Sequence, residues 1–188
     1  LTAAGLNTGT SRDRASILGQ EVKLTIPERA AIIDAQAGQL RGTALRLAGK
    51  LDEANAALSK ANNAAVAVRE GRVVSIARLR SQILSELSAV AEDRGNFGEA
   101  EMRLRQAVTL VETQYPSSAS LNAVRARLAG YFARRGRKDE ALVIYKAIAN
   151  DVAGNRGALV GMSNLIRPYF SLLAERSAPV SVLGLSPA

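Results

Sequence analysis

Residues 49–54 read GKLDEA, and the chain writes close variants twice more: GNFGEA at 95–100 and GRKDEA at 136–141. Each copy follows one run of apolar residues at helical spacing and precedes another. A glycine at the end of such a run stops a helix, because it reaches φ > 0 without a Cβ clash. Asp52 is placed to cap the next helix, with Glu53 at the positive end of its dipole. Ala54 then falls in the new first turn, facing the helix just completed, where two helices 8–10 Å apart leave room for little more than a methyl group. The six residues therefore encode a stop, a tight turn, a start and a close contact. That is one helical hairpin, written three times.

The flanking runs support this. Pro27 suits a first helical turn, and Ile32, Ile33, Ala37, Leu40, Ala44, Leu45 and Ala48 follow at three- and four-residue steps, which predicts one buried helix face. Val73, Ile76, Leu79, Ile83, Leu84, Leu87, Val90 and Ala91 predict a second face, ending at Gly95, with Gly98 in place of the capping Asp. Ala100, Leu104, Ala107, Val108 and Val111 run on to Tyr115 and Pro116. Leu121, Val124, Leu128, Ala129 and Phe132 lead to Gly136, where Asp139 is the expected cap, and Ala141, Leu142, Tyr145 and Ile148 follow. No single hairpin buries both of its sides, so the hairpins are expected to stack. Residues 157–175 read as a further helical region capping the stack, with Pro168 expected to interrupt it and open a separate short helix. Residues 1–12 read as a flexible lead-in, 15–22 as a short apolar-periodic piece, and 176–188 as an irregular tail or linker.

Composition fits an all-α chain. Of 188 residues, 47% are apolar but only 4% aromatic, with no Trp, so Ala and Leu carry the burial. No run approaches the ~20 apolar residues needed to span a bilayer, so no membrane is expected. There is no Cys and no His. Thiolate nucleophiles, imidazole bases and their usual metal sites are thereby removed, and no catalytic residue, metal or cofactor is expected. The net charge is +8, and residues 116–188 hold 10 basic against 4 acidic side chains. The N-terminus has neither Met nor a signal-peptide core, so the sequence reads as a piece of a longer protein. Cytoplasm is the default compartment, with the periplasm left open.

Hairpins joined by a Gly–x–x–[DG]–E–Ala turn resemble tetratricopeptide repeats. The resemblance rests on Gly42, Leu45, Ala54, Leu58 and Ala61 in the first copy, and on Leu84, Leu87–Ser88, Ala91, Ala100, Leu104 and Ala107 in the second. In the third it rests on Leu128–Ala129, Phe132, Ala141 and Tyr145. It implies a right-handed superhelical stack of antiparallel helix pairs over 13–175, an α-solenoid. The alanines are 46 and 41 residues apart against the family's 34, which resembles its long-repeat subgroup. Gly38 and Arg125 stand where a large apolar residue is usual and are expected to weaken the core locally. The stretches AEDRGNFGEAEMRLRQAV and LIRPYFSLLAER look like repeat regions preceding a CHAT domain in bacterial proteins, which would put any catalysis downstream.

The resemblance further implies a concave face lined by the first helix of each pair. The candidate partner contacts there are Gln39, Thr43, Arg46, Ser85, Glu86, Glu92, Arg127 and Arg134, with Ala89 and Gly130 among them. Gln39, Thr43, Ser85 and Ala89 do not reproduce the family's carboxylate clamp. The expected function is a non-catalytic module binding a protein or peptide. The alternative is nucleic-acid or acidic-partner binding through the basic C-terminal third, densest in YFARRGRK at 131–138. That reading is weaker, because the run's glycine is the turn glycine and its aromatics fall on the core stripe. Oligomeric state is not read from the sequence.

Overall fold

The computed structural model describes residues 24–71, 73–152 and 156–177. The lead-in 1–12, the piece 15–22 and the tail from 178 lie outside them. Among the described residues there are seven α-helices, one 3-10 turn and no strand. The helices are α1 (Ile26–Leu47), α2 (Leu51–Ala67), α3 (Val74–Asp93), α4 (Phe97–Gln114), α5 (Ala119–Arg134), α6 (Lys138–Val152) and α7 (Arg156–Ser177), with the 3-10 turn at Arg69–Gly71 between α2 and α3. No described helix is long and apolar enough to cross a membrane.

The chain divides into two compact units, Leu1–Pro116 and Ser117–Ala188. In the first, α1 pairs with α2 and α3 with α4, and the pairs join mainly through α2 against α3. In the second, α5 pairs with α6 and α7 packs on both.

All three turn glycines are left-handed, with φ of 75° at Gly49, 78° at Gly95 and 75° at Gly136. Around each, the two hydrogen bonds of a Schellman motif satisfy the carbonyls at the end of the outgoing helix. Gly49 N–H donates to Arg46 O and Lys50 N–H to Leu45 O, both at 2.9 Å. The same pair recurs as Gly95 to Glu92 with Asn96 to Ala91, and as Gly136 to Ala133 with Arg137 to Phe132. Ala54, Ala100 and Ala141 are each wholly buried. The caps depart from expectation. The next helix starts two residues after Gly49 and Gly95, with Lys50 and Asn96 as N-caps, neither making a side-chain cap bond. Asp52, Gly98 and Asp139 therefore lie inside the first turns of α2, α4 and α6. The Schellman motif sets the chain direction without a capping side chain, which frees Asp52 to pair with Arg94.

The first apolar stripe also needs correction. Ile33, Ala37, Leu40, Ala44 and Ala48 are exposed, while α1 buries Ile32, Ala35 and Gly42. A Cβ on Gly42 would lie 2.4 Å from Leu58 Cγ, and one on Gly38 3.0 Å from the Ala61 methyl. The small-residue face of α1 thus lies directly on α2, with Leu58 filling the space above Gly42. Gly38 does not weaken this contact: with Gly42 it is one of the two places where α2 approaches closely. The α3 stripe is buried at every one of its expected positions, and Ser88 Oγ donates to Ala100 O across the second hairpin at 2.8 Å.

Pro168 does not divide α7, which is one helix from Arg156 to Ser177. Proline removes one backbone donor and crowds the preceding turn, but packing on both sides of it holds the helix. Ile166 and Leu172 are buried, and Tyr169 stacks on Tyr145 with ring centroids 5.6 Å apart.

Candidate functional site

Four of the eight residues expected on a concave face are occupied with one another. On α1, Gln39 Nε2 donates to Thr43 Oγ1 (3.3 Å), and Thr43 Oγ1 donates to Gln39 O (3.1 Å). Arg46 reaches across to α3, 3.4 Å from Glu86 and 3.2 Å from Asp93. Arg46 and Glu86 are therefore a tie between α1 and α3. Ser85 is not a surface residue: it is buried, and its hydroxyl donates to Ser81 O at 2.8 Å. Its helix turns it inward because α3 is covered on most of its circumference. Glu92 and Ala89 are half-buried on the same helix. Arg127 and Arg134 are exposed on α5, in the second unit, where Gly130 is buried. In the basic run, Tyr131 and Phe132 are buried, and Arg137 lies over the Phe132 ring at 4.2 Å while pairing with Glu140. Those rings offer no stacking platform.

A different feature of the first unit has the makings of a site. α2 and α4 do not pack on each other, and between them lies a groove of about 900 Å³ floored by α3. Its lining includes Asn62 from α2, Arg80 and Leu84 from α3, and Met102, Arg103 and Leu110 from α4. Three buried polar atoms in that lining have no hydrogen-bond partner: Asn62 Oδ1, Arg80 Nε and Arg103 Nε. Buried polar groups are rarely left so, and an unsatisfied one costs about 1–3 kcal/mol. Each comes from a different helix, yet all line one groove.

Arg80 is the most telling of them. It is half-buried and pairs with no acidic group among the described residues. Burial pushes its guanidinium below the ordinary arginine value, although an arginine stays charged at any biological pH. Arg103 is partly neutralised by Glu99 at 3.1 Å, and Arg105 by Glu101 at 2.7 Å. The Arg80 side chain is positioned by the 3-10 turn. Gly71 has φ +71°, and a Cβ there would stand 2.6 Å from an Arg80 guanidinium nitrogen. That turn is held from its other side, where Arg69, itself at φ 48°, grips Glu28 at 2.7 Å. Half-exposed Met102 and the leucines supply an adaptable apolar wall.

No protein-family model matches this sequence, and no curated protein matches it. No group of His, Cys, Asp or Glu among the described residues is arranged to hold a metal ion. The groove's lining carries several kinds of binding chemistry. It offers guanidinium donors to an anionic acceptor, a carbonyl acceptor to an N–H, and thioether and aliphatic surface to apolar side chains.

Sequence reasoning missed this groove. Leu84 was expected in the core, where it lies, and Arg80 was not singled out, because helical periodicity says which face a residue is on and not whether the neighbouring helix closes over it. The one available signal was Gly71, a glycine in a stretch between helical runs.

Proposed function

We propose that the chain is a non-catalytic protein-interaction module of tetratricopeptide-like helical hairpins that takes a peptide segment in the α2–α4 groove. The carrying observation is the convergence of three unpartnered buried polar atoms, one from each of α2, α3 and α4, on that groove. A peptide suits this lining once the three side chains turn to meet it. A Glu or Asp side chain accepts from Arg80 and Arg103, a backbone N–H donates to Asn62, and neighbouring Leu, Met or Phe side chains lie on Leu84, Met102 and Leu110. Desolvated charge-assisted bonds of this kind fix register and specificity. The α1–α3 face suits the role less, since Arg46, Glu86, Gln39 and Thr43 already satisfy one another.

The test is selection from a random peptide library on the immobilised chain, beside Arg80→Gln and Arg46→Gln variants. The expected outcome is enrichment of an acidic residue next to apolar ones, lost with Arg80→Gln and kept with Arg46→Gln. Enrichment indifferent to Arg80→Gln, or none at all, overturns the assignment.

A further inference from the structure

On the side of α1 opposite its buried face, Ile26, Ile33, Leu40 and Leu47 alternate with Ala30, Ala37 and Ala44. The steps are four, three, four, three, four and three: an unbroken heptad seam over the length of the helix. Every one of the seven is exposed, the large ones at 83, 63, 66 and 74%. An ordinary surface helix scatters its exposed apolar residues singly. This one aligns them along ~30 Å, at 1.5 Å per residue.

We propose that this seam pairs antiparallel with the same seam of a second copy of the chain. Two features favour a second copy over another partner. The first is volume. In an antiparallel pair each alanine falls opposite an Ile or Leu, so every layer holds one small and one large side chain. A parallel pair sets Ala against Ala and large against large, giving alternately empty and crowded layers, and both are destabilising. The second is charge. In the register that sets Ala30 opposite the partner's Leu47, Ile33 opposite the partner's Ala44 and Ala37 opposite the partner's Leu40, Asp34 flanks the partner's Arg41. Two-fold symmetry makes that ion pair twice. Asp34 and Arg41 are exposed, and neither has a partner among the described residues. Shifting by one heptad brings Asp34 against the partner's Asp34 instead. Arg29 and Lys50, at the outer ends, are drawn onto their own chain by Leu24 O (3.0 Å) and Glu53 (3.4 Å). α1 is already held helical by α2 and α3, so pairing carries little ordering cost.

The experiment is sedimentation of the 188-residue chain across a wide concentration range. The mass is expected to rise from one chain towards two. Leu40→Glu, at an exposed position, is expected to stay at one-chain mass with unchanged helical circular dichroism. Asp34→Arg should weaken pairing about tenfold, and adding Arg41→Asp should restore it. The chain has no native cysteine, so Ala30→Cys mixed with Leu47→Cys reads orientation cleanly: a short bismaleimide should join one variant to the other. A chain that stays monomeric throughout overturns the proposal and means that something other than a second copy covers the seam. So does a dimer that survives Leu40→Glu, a charge swap without recovery, or cross-linking of Ala30→Cys to itself alone.

Discussion

Replacing Gly42 with alanine tests the claim that α1 lies on α2 through its small residues. In a free helix the change is favourable by about 1 kcal/mol, since alanine loses less backbone entropy. Here the added methyl would sit 2.4, 2.7 and 3.3 Å from Cγ, Cδ2 and Cδ1 of Leu58. Leu58 is wholly buried, and the clash is with its branch point, so it cannot swing aside. Overpacking of this kind costs about 1–3 kcal/mol, leaving a net loss of about 1 kcal/mol, or ~4 °C in melting temperature. Gly98→Ala is the control: nothing lies within 4 Å of that Cβ position, and a gain of about 0.5 kcal/mol is expected there. Leu58→Ala alone should cost ~2–5 kcal/mol. In that background Gly42→Ala should change sign and stabilise, a coupling of about 2 kcal/mol between touching residues. Urea denaturation followed by helical circular dichroism reads the four variants against the wild type. If Gly42→Ala stabilises in both backgrounds, the close approach of α1 and α2 is wrong.

Acid should undo the clasp that steadies the Arg80 turn. The Arg69 guanidinium bond, joined by the Thr25 backbone N–H, holds the Glu28 carboxyl down from its ordinary 4.5 to about 2. A carboxyl lowered in the folded state contributes stability above its unfolded value and loses it as pH falls. Wild type and Glu28→Gln should therefore differ in urea midpoint at neutral pH and converge between pH 4.5 and about 2; a constant gap refutes the clasp. Pro168→Ala restores a backbone donor within α7 and should stabilise the second unit by up to ~3 kcal/mol. A midpoint that falls would show that the proline ring's packing outweighs the restored bond.

The three hairpins were legible because their determinants are local. A glycine at φ near 75°, two hydrogen bonds spanning six residues and an alanine five positions on need no distant partner, so GKLDEA, GNFGEA and GRKDEA announce the turns unaided. The α3 and α5 stripes were legible because leucine, isoleucine and phenylalanine carry their burial. α1 was misread for the converse reason. Its tightest contact is made by Gly38 and Gly42, which carry no apolar signal, while its conspicuous Ile33 and Leu40 face outward. Hydrophobic periodicity measures side chains, and a helix can be held by their absence.

The candidate groove depends on a spacing that no local pattern encodes. Whether Arg80, Asn62 and Arg103 end in water or in a shared cleft is settled by how far α2 stands from α4 across α3, a distance set by side chains many residues apart. Composition, turn chemistry and the missing Cys and His determined by themselves that this chain is helical, hairpin-built and without thiol or imidazole chemistry. Tertiary packing alone decided which faces close and which stay open, because burial belongs to pairs of helices and not to any one of them.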